Sequence, residues 1–505
     1  MSVRVAGPIL SLPWKVEAAS PKIRIFWRIC FSISLILSVG LSLTRGPWWD
    51  EGVFGDPAAT FASHNHLGSA SLTETGYLPF PGVHQYTYWQ MPGYLLLTGL
   101  LFKFAGVSVV AMRLVNIPLG LLYLWAWRGF ILRLTGDANW SLIVASTIAV
   151  DYSFVGGVAN GRMDMLCAAT GMASLTFLLE YAGSLQLRAA ALSGLCLAVS
   201  VLSHPLGMLY GLLWLVSLVC LLWLGRKSLQ YRQLPAAAAC FVLPFFVLLG
   251  CWGLYIAQDA PVFLAQMGSG SSYRLRTSYN PLRVIPADFT YRYFTVFISF
   301  KAKAALVFIP LLSSLAVVLT PSLRRSHALV AMVGLTALMF CGLAYIDNQS
   351  LPPYFVHTMP WLTALMCATL YWMANKSSAL RWAAIAVLGA FLLFAVMGNA
   401  ARIQRRQYQA DFMPVIELLK GPVARGAVAM GGSELGFGLG FGHVIDDRYM
   451  GFYAVKAEPE YFVMDMYYGP IGPAFEEGIR FRDQRLAKNY TLVLANPDFK
   501  VYQRR

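Results

Sequence analysis

Charge is scarce in this chain. Only 12% of its 505 residues are Asp, Glu, Lys or Arg, against about 25% in an ordinary soluble protein. With 57% hydrophobic residues and a mean hydropathy of +0.58, it does not read as a water-soluble globule. Alternation is missing too. The apolar runs are continuous, which excludes a transmembrane β-barrel, and many reach the roughly 18 residues that suit a helix crossing the bilayer. Paired cysteines are absent: Cys30, Cys167, Cys196, Cys220, Cys240, Cys251, Cys341 and Cys367 lie in or beside apolar segments and form no CxxC. They read as small core hydrophobes, neither a disulfide framework nor a zinc site. The net charge of +15 does not point to nucleic acid, because Lys and Arg gather in short loops between apolar runs, as positive-inside orientation requires.

What is present is an all-α polytopic membrane protein with eleven predicted spans. They fall at residues 25–43, 109–127, 140–158, 165–181, 189–203, 206–224, 236–256, 302–320, 329–345, 355–373 and 383–397. Lys15, Lys22, Arg24 and Arg28 precede the first run, which reads as an uncleaved anchor with a cytoplasmic start. The apolar piece at 94–104 is short and contains Lys103, which fits a helix lying at the membrane interface. That choice sets the parity: Asp50, Arg162 and Asp164 then share the outer side. The chain divides into a cytoplasmic start (1–24), a membrane domain (25–400) with external segments at 44–108 and 258–301, and a tail (401–505). In the tail, charges, glycines and aromatics interleave, and a small external α/β domain is expected, with a helix at 411–420 and strands at 426–430 and 490–495. Arg402, Arg405 and Arg406 then stand outside, against the positive-inside tendency.

Trp48-Trp49-Asp50-Glu51-Gly52 follows the first span. Tryptophan at the boundary is ordinary anchoring, but adjacent carboxylates at a membrane edge usually serve a site or contact water. Arg162-Met163-Asp164 follows the third span and His204-Pro205 the fifth, while the segment at 258–301 brings Arg274, Arg276, Arg283 and Arg292 among Tyr273, Tyr279, Tyr291 and Tyr293. Carboxylates facing cations and aromatics at a membrane surface suit an anionic, amphipathic substrate such as a lipid-linked phosphosugar. Plainer readings stay open. Asp50 and Glu51 also suit a helix cap, Arg162 and Asp164 an interfacial charge pair, and His204 a turn. The loop arginines suit lipid headgroups. His64-Asn65-His66 could bind metal and also suits a solvated loop.

The order Trp-Asp-Glu, a loop rich in aromatics and proline, then Gly161-Arg162-Met163-Asp164 resembles the GT-C glycosyltransferases, chiefly the protein O-mannosyltransferase-like and aminoarabinose-transferase-like group. His204-Pro205-x-Gly207 is similar to that family's His-Pro turn, and Pro352-Pro353-Tyr354 with Pro360 to its late Tyr/Pro stretch, although Pro353 stands where an Arg is common. The resemblance spans about residues 28–373 and leaves out the tail. It implies a GT-C fold and inverting transfer of a sugar from a polyprenyl-phosphate donor to a protein or glycolipid acceptor. The expected place is the outer face of an inner (plasma) membrane.

On that reading Asp50 is the general base, Glu51 orients the acceptor or a metal, and Asp164 is a second acidic residue that binds acceptor or metal. Arg162 and His204 would meet the donor phosphate. Where related enzymes place Lys or His just before a proline, Gln90 and Met91 precede Pro92, which shifts that phosphate contact to His84 or Arg274. Trp49, Tyr88, Tyr273 and Tyr354 are the aromatic candidates for the sugar. Asp50 and Asp164 would hold a divalent cation if one is used. The rival reading, a flippase or transporter for lipid-linked sugar, predicts inverted repeats and charges near the membrane midplane. The sequence shows no such repeat, and its ionisable residues cluster at span ends.

Overall fold

A computed structural model describes residues 12, 14, 16, 18–74, 80–224, 234–272, 280–298, 303–347, 352–447, 458–465, 480 and 483–505. Helix α1 (Pro21–Thr44) starts at a Ser20 cap, whose hydroxyl accepts from the Ile23 N–H, with Pro21 at the first helical position. Next come α2 (Trp49–His64), α3 (Pro92–Ala105), α4 (Val109–Leu114) and α5 (Asn116–Thr135). The pair α6 (Ala138–Val150) and α7 (Tyr152–Val158) is bent by 63°. Asp151 makes the bend, its carboxylate capping α7 through the N–H groups of Ser153 and Phe154.

The bundle continues with α8 (Asp164–Ser184), α9 (Leu187–Ser203), α10 (Gly207–Leu224), α11 (Leu234–Ile256), α12 (Ala260–Ser272) and α13 (Pro281–Phe289). A π-helical turn covers Thr290–Phe297, then α14 (Ala304–Leu319), α15 (Pro321–Arg324), α16 (His327–Ile346), α17 (Phe355–Ala374) and α18 (Ser378–Gln404) follow. Each of the eleven predicted spans coincides with one of these helices or with a pair, α4–α5 or α6–α7. By length and composition alone, six of the described helices suffice to cross a membrane, or seven with the bent pair. Helices α9 and α14 have 17 and 16 residues, and α17 carries His357 and three threonines and is buried along most of its length.

The core gathers on α5, α6, α8 and α17, and Trp127 on α5, Trp140 on α6 and Trp361 on α17 are fully enclosed. The short apolar helix α3 lies alongside α2, with Gly99 against Ala58 and Phe61. It exposes Leu96, Leu97, Leu100 and Phe104, the apolar face expected of an interfacial helix.

The tail is an α/β unit, as expected. Helix α19 (Met413–Ala424) precedes β1 (Ala429–Gly431), the one-turn α20 (Gly436–Leu439), β2 (Val444–Asp446), β3 (Tyr461–Asp465), β4 (Tyr490–Ala495) and β5 (Phe499–Arg504). The sheet order is β2-β1-β3-β5-β4, parallel around β1 and antiparallel across β5. Helix α19 covers one face through Val415, Ile416 and Leu419, and Met430, Phe462, Leu486 and Tyr490 pack on the other. Strand β4 has the predicted bounds. Strands β2, β3 and β5 went unread, because β2 has three residues and β5 alternates charges with apolar positions.

Candidate active site

The chain leaves α1 at Arg45-Gly46-Pro47 and re-enters a helix at Trp48, an extended N-cap. Asp50 and Glu51 occupy the first turn of α2, where carboxylates oppose the positive end of the helix dipole. Successive helical residues point about 100° apart, so the two diverge.

Asp50 turns toward the α7–α8 junction. Its Oδ2 is in direct contact with Arg162 Nη1, and Arg162 Nε donates to Asp164 Oδ2 at 2.8 Å. The guanidinium therefore bridges the two carboxylates, buried at 2% exposure. Its carbon lies 5.5 Å from the Trp48 ring, 5.3 Å from Phe54 and 5.7 Å from Tyr354, inside the range of cation–π attraction. The other oxygen of Asp164 faces two imidazoles, His357 Nε2 at 3.7 Å and His204 Nε2 at 4.0 Å. The Leu206 N–H donates to His204 Nδ1 at 2.9 Å, which leaves the ring proton on Nε2, facing Asp164. His357 Nδ1 meets the Tyr210 hydroxyl at 3.1 Å. Tyr354 packs edge-on to His204, their ring centres 5.3 Å apart.

Asp50, Arg162, Asp164, His204 and Tyr354 are thus brought together from four separated stretches. That requires Asp50 and Asp164 to share one side of the bundle, the arrangement that follows if the 94–104 segment does not cross.

Glu51 turns the other way. Arg113 donates to it twice, from Nε at 2.7 Å and Nη2 at 2.6 Å; the N–H groups of Gly161 (2.7 Å) and Trp48 (3.2 Å) complete the set. Burial pushes this carboxyl up, but Arg113 and the Gly161 N–H more than offset it and hold Glu51 below its ordinary range. The acceptor- or metal-orienting role expected for Glu51 gives way to an anchoring one, since both its oxygens are engaged.

Other expectations are revised by position. Trp49 is 5% exposed and donates its indole N–H to Asp446 in the tail at 2.7 Å, so its ring does not face a sugar site. Tyr88 is buried, its hydroxyl on the Tyr255 carbonyl and its ring against Tyr86, Tyr255 and Phe263. His84 bonds the Ser69 carbonyl at 2.8 Å and lines a cavity of about 630 Å³ with His64 and His66 at the far end of α2 from Asp50. Arg162, expected on the donor phosphate, is committed to the two carboxylates. Arg292 is buried on Asp288 and Asp347, whereas Arg274 and Tyr273 lie outside the described residues.

Between Asp50 and Asp164, the pair that would hold a divalent cation if one is used, stands the Arg162 guanidinium. No group of three His, Cys, Asp or Glu side chains among the described residues is arranged to hold a metal. The residues as placed do not fit a resident ion.

Sequence reading missed Arg113 and His357. Each was an ionisable residue inside a predicted apolar span, itself a signal that a partner lies nearby.

The architecture is the GT-C fold of membrane glycosyltransferases. Over 96% of this chain and 98% of its own length, the crystal structure of ArnT from Cupriavidus metallidurans bound to undecaprenyl phosphate superposes with a TM-score of 0.63 at 14% identity. The same protein in its apo state gives 0.59 over 95% of this chain and 98% of its own. The Archaeoglobus fulgidus oligosaccharyltransferase, in complex with Zn and sulfate, gives 0.58 at 14% identity over 87% of this chain and 68% of its own. Coverage of 96% carries the likeness into the tail, beyond the stretch where the sequence motifs end. No family model matches the sequence, and no curated protein matches it.

Proposed function

We propose that this protein is an inverting membrane glycosyltransferase that uses a polyprenyl-phosphate-linked sugar. The observation that carries the reading is the buried Asp50–Arg162–Asp164 bridge at the ends of the bundle helices. It lies in a fold shared along nearly its whole length with an ArnT bound to undecaprenyl phosphate. The acceptor hydroxyl gives its proton to Asp50 as its oxygen bonds the anomeric carbon, and the sugar–phosphate bond breaks on the opposite face. The electron pair leaves with the lipid phosphate. Arg162 keeps Asp50 aimed, as a general base requires. His204 and His357 supply N–H groups for the charge growing on the phosphate, and Asp164 orders Arg162 and both imidazoles. Tyr354 offers a ring edge beside the sugar. The acceptor is a protein or a glycolipid, approached from the outer face of an inner membrane.

The test is sugar release from a labelled polyprenyl-phosphate glycan pool by purified protein, wild type beside Asp50→Asn. Donor-dependent turnover abolished by Asp50→Asn in a folded protein is the expected result. Turnover indifferent to Asp50→Asn moves the base elsewhere. Transbilayer movement of the lipid with no sugar released hands the case to a flippase.

A further inference from the structure

The tail is built into the end of α2 that carries Asp50. Asp446 Oδ2 accepts from the Trp49 indole at 2.7 Å, from the Ser433 N–H at 2.9 Å and from the Ser433 hydroxyl at 2.6 Å. The Ser433 hydroxyl lies 3.0 Å from that of Ser71, which donates to Asp56 at 2.7 Å. The Asp446 N–H bonds the Ser71 carbonyl at 2.9 Å. This chain of bonds leaves α2 at Trp49, crosses the tail and the 69–71 loop, and returns to α2 at Asp56. Asp446, Ser433 and Asp56 are all fully buried. Gly52 shows how close the approach is, because a Cβ there would collide with the Glu434 backbone nitrogen.

The opposite side of the same turn is held by Glu51 on Arg113. Residue 49 is therefore tied to the tail and residue 51 to the bundle, and Asp50 lies between them. Two tethers about 200° apart around a helix fix its rotation, and that rotation sets where Asp50 points. A reacting group displaced by 1 Å loses about 10²-fold in rate.

We infer that the C-terminal domain positions the general base, with Asp446 as the positioning residue acting through Trp49. The inference rests on Asp50 being that base. It gives the tail a part in turnover itself, as one wall of the mount that holds α2.

The experiment uses the purified full-length protein in nanodiscs, with the polyprenyl-phosphate glycan pool as donor, and compares Asp446→Leu, Asp446→Asn, Trp49→Phe and Asp50→Asn. Asp446→Leu keeps side-chain bulk and removes the acceptor, and kcat is expected to fall about 10²-fold with the donor KM little changed. Asp446→Asn can turn its carbonyl oxygen to the same three donors and should recover most of that loss. Trp49→Phe keeps an aromatic ring and removes the indole donor to Asp446, for a fall in kcat of about tenfold. If Asp446→Leu fails to fold, Trp49→Phe and Asp446→Asn carry the test. Wild-type kcat in Trp49→Phe beside an inactive Asp50→Asn overturns the inference alone. So does Asp446→Asn falling as far as Asp446→Leu, since charge would then matter and position would not. Wild-type turnover in Asp50→Asn sinks the base assignment, and the inference with it.

Discussion

Glu51 and Arg113 form a two-point ion pair with both side chains sealed from solvent, one residue away from a carboxylate with an entirely different partner. The pair joins α2 to α4, and Arg113 also donates to the carbonyls of Ser42, Arg45 and Gly46 at the end of α1. Breaking a buried pair from one side strands a charge, at about 3–5 kcal/mol. Arg113→Met should therefore lower stability by that amount, seen as a drop in melting temperature in detergent. Asp50→Asn leaves Arg162 paired with Asp164 and should cost less. An Arg113→Met protein as stable as wild type would show that Glu51 had found another partner.

The same pair sets an acid limit. Glu51 titrates below its ordinary value near 4.5 in the fold. Unfolded chains therefore bind more protons just below that pH, and stability rises with pH there. The contribution is present above about 4.5 and is lost as pH falls through the depressed value. Melting curves taken from neutral pH downward should show it, and Glu51→Gln should flatten that acid slope. An unchanged slope in Glu51→Gln would assign the acid sensitivity to other carboxyls.

How much of this was legible follows from period and distance. Asp50, Arg162, Asp164, His204 and Tyr354 were readable because each sits at the end of an apolar run, and run parity brings those ends together. The split between Asp50 and Glu51 was not, since a helix separates neighbours by about 100° and no local pattern says which way the first turn faces. Trp49 looked like a sugar platform for the same reason. Arg113 and His357 disappeared into their spans, where hydropathy averages away a single polar residue. The link from Trp49 to Asp446 joins residues nearly 400 positions apart, beyond any spacing rule.

His357 lies three residues beyond Tyr354, with its Nε2 nearer to Asp164 than that of His204. If it serves the leaving phosphate, His357→Leu should lower kcat by about 10²-fold, the usual loss of one preorganised donor. A donor with a better phosphate-type leaving group should recover part of that loss. Tyr210→Phe, which removes the hydroxyl that meets Nδ1, should act in the same direction and more weakly. Wild-type kcat in His357→Leu would reduce the residue to core packing.

Arg162 is the group the site can least exchange. Its Nη1 serves Asp50 while Nε serves Asp164, and Trp48, Phe54 and Tyr354 surround the planar guanidinium. Lysine keeps the charge but presents it at one point, so it can hold either carboxylate and not both. The released carboxylate then lies buried without its cation. Arg162→Lys should fold and still lose about 10²-fold in kcat through misplacement of the base. Full activity in Arg162→Lys would mean that the bridge is dispensable.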